Sequence, residues 1–142
     1  MKPVLTHVAL AARDLDQTIA FYRRHAGLHL VHDRTDGGMR VAWLAARETD
    51  PDFVVVLLES GADVPSGPAT LQHLGFAVGS RAEVDAAAAA GRDEGVLLLE
   101  PTYAGPIVGY FCILQDPDGN QVEFSYGQPI NPRDLQKNLS AS

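Results

Sequence analysis

The chain has 142 residues, 46% of them apolar and 20% charged. This is the profile of a folded chain rather than a disordered one, with room for one domain and a real core or for two small lobes. Its net charge of -7, from 18 acidic against 11 basic residues, argues against a nucleic-acid backbone as partner, which requires concentrated Lys and Arg. No apolar run approaches the roughly 18 residues of a membrane span.

In chain order, MKPVLTHVALAARDLD carries charge where a signal peptide would have its cleavage region, so export is not expected. THVALAA, residues 6–12, reads as a strand, with His7 on a face shared with Leu5, Ala9 and Ala11. DLDQTIAFYRR reads as a helix. Asp14 caps it with Gln17 three residues on, Leu15, Ile19 and Phe21 or Tyr22 form the apolar side, and Arg23 and Arg24 decorate the late turns. Strand-like LHLVHD, RVAWLAA and FVVVLLE follow, separated by the turns TDGG and RETDPD.

The segment SGADVPSGPA, residues 60–69, is rich in Gly, Pro and Ser and marks a boundary. Beyond it the order repeats. QHLGFAV, residues 72–78, carries His73, and SRAEVDAAAAAG has the capping-box pair Ser80 and Glu83, with Gly91 as a stop. GVLLLEP, IVGYFCIL and NQVEFSY then alternate with TYAG and DPDG, the latter read as a structural turn that aims the last strand. His73 follows His7 by 66 residues, and Ser80 follows Asp14 by the same 66. The expected organisation is thus α+β: a single domain over 1–142, with modules 4–60 and 70–127 and a tail 128–142 of about one helical turn. Cys112, the only cysteine, permits no intrachain disulfide, reads as a small buried hydrophobe and fits a reducing cytoplasm.

A lone strand histidine is more often structural than a ligand. Two in one repeat register, each flanked on its own face mostly by small residues, are a different case. His73 shares its face with Leu71, Gly75 and Ala77. In the last strand Glu123 lies with Gln121 and Ser125, opposite Val122, Phe124 and Tyr126. Two imidazoles and one carboxylate suit Fe, Mn, Ni or Zn in the divalent state and leave positions open for substrate. The repeat, with one residue of slip, places a fourth position at Val56, which cannot ligate. Glu59 is an odd step away and faces the other side unless a bulge intervenes. Trp43, Met39, Tyr110 and Cys112 are candidates for the cavity wall.

THVALAARDLDQTIAFYRRHAGL, QHLGFAV and DPDGNQVEFSYG resemble the vicinal oxygen chelate superfamily, over about residues 4–127. That group contains glyoxalase I, fosfomycin and bleomycin resistance proteins, methylmalonyl-CoA epimerase and extradiol dioxygenases. The resemblance implies paired βαβββ modules curled into an open barrel around a metal, with the family's ligands falling on His7, His73 and Glu123. The fourth ligand of glyoxalase I and the epimerase falls on Val56. The dioxygenases use three ligands with ferrous iron, but their acid/base tyrosine falls on Ile113 and a further histidine near Ala104, leaving Tyr110 or Tyr103 as substitutes.

The function implied is that of a glyoxalase-like lyase or isomerase with one divalent metal ion (Fe, Ni, Zn or Mn), acting on a small substrate with vicinal oxygens, with Glu123 also serving as base. The alternatives are a non-haem Fe(II) dioxygenase, a resistance-type thiol transferase and a metal-free binding protein of the bleomycin-resistance type. Members of the superfamily commonly dimerise. A homodimer is therefore expected, its modules paired within one chain or exchanged so that His7 of one copy meets His73 and Glu123 of the other.

Overall fold

Asp14 stops the first strand and starts the first helix: its backbone is extended, and its carboxylate accepts from the Gln17 amide at 3.1 Å. Gly27, at φ 63°, ends the helix in the left-handed conformation that glycine adopts without strain. Ser80 repeats the device, accepting from the Glu83 amide at 3.2 Å while Glu83 reaches back to the Gly79 amide, which completes a capping box. The two caps set equivalent positions in two equivalent units.

The computed structural model describes residues 4–61 and 71–141. Residues 62–69 of the expected boundary segment therefore lie outside the described residues. One unit comprises Met1–Gly67 with the turn Asp116–Gly119, and the other Pro68–Gln115 with Asn120–Ser142.

The first unit contains β1 (His7–Ala12), α1 (Leu15–Ala26), β2 (His29–Asp36), β3 (Met39–Ala45) and β4 (Val54–Glu59). Its sheet has the order β1-β4-β3-β2, with β1 parallel to β4 and the other pairs antiparallel. Gly37 and Gly38, at φ 54° and 86°, form the two-residue hairpin turn between β2 and β3, so TDGG contributes its first two residues to the strand. Leu10, Ala12, Ala42, Leu44, Val55 and Leu57 are buried on one face of the sheet, together with Leu15, Ile19 and Tyr22 of α1. Each large apolar side chain so buried contributes about 1.5–3 kcal/mol. The other face carries the cross-strand row Ala9, Val56, Trp43 and His32. A register shift between Leu30 and His32 brings His32 opposite Trp43.

The second unit contains β5 (Leu74–Ala77), α2 (Arg81–Asp93), β6 (Leu97–Tyr103), β7 (Tyr110–Gln115), β8 (Gln121–Tyr126) and α3 (Pro132–Ala141). Its strand order, β5-β8-β7-β6, copies the first with β5 parallel to β8. Three local expectations need correction. β7 begins at Tyr110 rather than Ile107, because Gly105 and Gly109, at φ 95° and 80°, fold the preceding residues into a turn. The tail carries ten helical residues, capped by the Asn131 side chain, which accepts from the Arg133 amide at 3.0 Å.

Gly91 is the third correction, since it does not end α2. It sits buried inside the helix, where a Cβ would stand 2.8 Å from Leu114 Cγ. The glycine is there for close packing, and the left-handed residue past the helix is Gly95. Gly91→Ala should therefore lower stability by about 1–2 kcal/mol in a urea melt. Overpacking costs about 1–3 kcal/mol, against about 0.5–1 gained in helix propensity.

The turn between β7 and β8 belongs with α1. Asp118 accepts from the Arg13 amide at 2.8 Å and from the Thr18 hydroxyl at 2.7 Å, and Asp116 accepts from the Tyr22 hydroxyl at 2.7 Å. Burial and the Asp116 carboxylate push ionisation of the Tyr22 phenol far above its ordinary value, so it serves as a permanent donor. DPDG is thus structural, as expected from its residue types, but it secures a helix as well as aiming a strand.

Candidate metal centre

Glu123 is 6% exposed and lies in the middle of β8, paired with Gly75 on one side and Ile113 on the other. No described residue donates a hydrogen bond to its carboxylate. The His73 imidazole is close to it, with Nε2 3.7 Å from Oε2. At that distance the two groups are near each other without being hydrogen bonded. Gly75 keeps the space beside them open, since even a methyl group there would reach van der Waals contact with Oε2 at 3.4 Å. His73 precedes β5 by one residue and lies outside the ladder, which begins with Leu74 opposite Val122.

His7 belongs to the other unit. It opens β1, is exposed, and pairs through Nδ1 with the Thr6 hydroxyl at 3.0 Å. A hydrogen bond on one imidazole nitrogen fixes the ring and leaves Nε2 to accept a ligand. Within either unit, no three His, Cys, Asp or Glu side chains among the described residues are placed to hold a metal. The structure therefore brings two of the three candidates together and presents the third on a separate unit.

The Glu123 oxygens belong to a buried residue yet keep some access to solvent, so the carboxylate is open to a ligand. A divalent cation reaching it would be shared with the adjacent His73 imidazole. This donor set fits such a cation, with the carboxylate supplying charge and the imidazoles supplying nitrogen.

Several residues near the candidates in sequence are directed elsewhere. Glu59 accepts from the Leu15 amide at 3.3 Å and so caps α1, on the side that its odd spacing from Val56 predicts. Val56 is buried in the row with Ala9 and Trp43. Cys112 is buried beneath α2, its Sγ 3.7 Å from the Val84 carbonyl, and burial pushes its thiol up to about 11. It is a core residue and not a cavity wall.

Tyr110 lies on the same face of β7 as Cys112, whereas Ile113 pairs with Glu123 on the opposite face. Its hydroxyl donates to Asp85 at 2.5 Å, which raises its ionisation above the ordinary phenol value. Arg81 stacks over the Tyr103 and Tyr110 rings at 5.1 and 4.9 Å, and the three line a cleft of about 320 Å³ beside α2. Neither tyrosine therefore stands in as an acid or base next to Glu123. Met39 is exposed beside the β2–β3 turn, and Trp43 lines a cavity together with the candidate ligand His7.

Two βαβββ units, with a histidine at the start of each first strand and a glutamate in the last, define a glyoxalase-type fold. Residues 4–124 match the Glyoxalase/Bleomycin resistance protein/Dioxygenase superfamily, and the chain belongs to it. It is 41% identical over 132 residues to an uncharacterized protein of Pseudomonas aeruginosa, covering 93% of this chain and 94% of that one.

Among solved structures, it is similar to the trypanothione-dependent glyoxalase I of Leishmania major, with a TM-score of 0.68 at 19% identity over 99% of this chain and 94% of that one. It is also similar to a variant of the fosfomycin resistance protein FosX of Listeria monocytogenes, complexed with Mn(II) and 1S,2S-dihydroxypropylphosphonic acid. There the TM-score is 0.68 at 20% identity, over 94% of this chain and 98% of that one. At these identities the two structures show the shared fold. No described helix is long and apolar enough to cross a membrane.

Proposed function

We propose that the chain is a divalent-metal-dependent lyase or isomerase acting on a small substrate with two vicinal oxygens, and that His7, His73 and Glu123 are its metal ligands. The observation that carries this reading is the Glu123 carboxylate, buried, without a hydrogen-bond donor, and with an imidazole 3.7 Å away. The 66-residue register that links His7 to His73, and the metal and diol-phosphonate bound by the related FosX, support it. The cation, when bound, supplies Lewis-acid stabilisation of substrate oxygens. In this reading Glu123 also takes a proton from the substrate. The ring-cleaving alternative is disfavoured by Ile113, an apolar residue directly opposite Glu123 where that chemistry needs a proton carrier.

The ligand set is completed either within one chain or between two copies in a homodimer. A cytoplasmic setting accords with the single buried thiol.

The test is anaerobic purification without an affinity tag, followed by plasma mass spectrometry of the wild type and of the His7→Ala, His73→Ala and Glu123→Ala variants. The expected result is near-stoichiometric metal that is lost in all three variants. Nickel or zinc would favour the lyase or isomerase reading, and iron the oxygenase. A wild type that neither carries nor takes up a divalent metal would overturn the enzyme reading in favour of a small-molecule binding protein.

A further inference from the structure

Trp43 is the only tryptophan in the chain. It stands on the sheet face opposite α1, and two side chains contact its ring. The His32 ring lies 4.8 Å away, and the Arg34 guanidinium lies over it at 5.5 Å. Around Trp43 the first unit forms a cavity of about 500 Å³ whose lining includes His7, Arg34, Asp52, Phe53 and Val56. That volume suits a small organic ligand.

The chemistry of the lining is specific. Trp43 and Phe53 offer flat apolar surface, and Val56 puts an isopropyl group where a fourth polar ligand would otherwise stand. Arg34 is the cation of this cavity, and its commitment elsewhere is slight. Only Nε is engaged, donating to Asp36 at 2.7 Å in a pair that is 38% and 62% exposed. Such exposed pairs are weak. The two terminal amino groups find no acceptor among the described residues. Stacking on the indole holds the guanidinium plane in place, which presents those amino groups as a fork suited to a carboxylate. Asp52, the one carboxylate in the lining, is paired with Arg47 at 2.9 Å, which moderates its repulsion of an anion.

We infer that this cavity selects a small aromatic carboxylate, with its ring against Trp43 and Phe53 and its carboxylate on the free edge of Arg34. That the ligand is the substrate, with its other oxygens directed to His7, rests on the metal-site reading above. The preference for a ring and an anion together does not.

Trp43 itself is the reporter. The full-length, metal-free protein is titrated with mandelate, benzyl alcohol and lactate while indole fluorescence is followed with excitation at the red edge of its absorption. Mandelate, which has both ring and carboxylate, should bind at least about tenfold more tightly than the other two, each of which lacks one, as one charge-assisted contact permits. Arg34→Gln should reduce mandelate to the level of benzyl alcohol and leave benzyl alcohol unchanged, with Arg34→Lys in between. Mandelate binding no tighter than either control, or insensitive to Arg34→Gln, would overturn the inference. Expected titrations on a protein that never takes up metal would sustain the pocket while the metal site fails, and bound metal without mandelate selectivity would do the reverse.

Discussion

Asp118→Ala should destabilise the protein by about 3 kcal/mol or more, measured as a lower urea midpoint with an unchanged slope. Asp118 is 3% exposed, and its two oxygens take up one backbone and one side-chain donor of the α1 region, the Arg13 amide and the Thr18 hydroxyl. Truncation removes both acceptors at once, and each donor stranded in a buried setting costs about 1–3 kcal/mol. Asp118→Asn separates acceptor geometry from charge. Its carbonyl oxygen still serves the Arg13 amide, and the Thr18 hydroxyl can rotate to accept from the new amide, so the loss should be about 1 kcal/mol. Equal losses for the two variants would assign the effect to charge and not to the paired acceptors.

Glu123→Ala should weaken divalent-metal binding by more than about 100-fold, read by calorimetric titration of the metal-free protein. Removing a group that merely orients a ligand costs about 10–100-fold, and removing the ligand itself should exceed that. Glu123→Gln provides the decisive control. If the carboxylate exists to hold a cation, the metal-free Gln variant, which keeps the size and shape of the side chain and breaks no hydrogen bond, should be about as stable as the metal-free wild type. A purely structural carboxylate would instead make the Gln variant clearly less stable. Mixing the His7→Ala and Glu123→Ala proteins then distinguishes the two ways of completing the site. If ligands are shared across copies, the isolated heterodimer regains metal at one of its two sites. If they come from one chain, every site in the mixture lacks a ligand and none is regained.

The features legible in the sequence were those encoded locally and then repeated. Asp14 and Ser80 announce helix starts through their own side chains, and both do so in the structure. The 66-residue register then carried the whole βαβββ plan, because one pattern read twice is stronger than either reading alone. Strand parity placed Glu59 on the α1 side and Glu123 opposite the apolar residues of β8. Parity did not reveal that Glu123 would be buried without a donor, since burial depends on what covers a strand.

Tyr22 was legible as helix-facing but not as the donor to Asp116, 94 residues away. Glycine commonly ends a helix, so the sequence suggests a stop at Gly91, and the proximity of Leu114 shows it to be a contact surface instead. Tyr110 and Cys112 are candidates for the cavity wall by sequence because alternation alone leaves open which face of β7 meets α2.

The Asp116–Gly119 turn also governs the order in which the protein can be made. Thr18 and Asp118 are separated by 100 residues, so α1 leaves the ribosome long before the carboxylates that satisfy its hydroxyls. The first unit cannot mature as soon as its own strands are synthesised. It remains unfinished until nearly the whole chain has emerged, and contacts closed over so long a loop form slowly. During that interval the Tyr22 and Thr18 hydroxyls still await the carboxylates that accept from them.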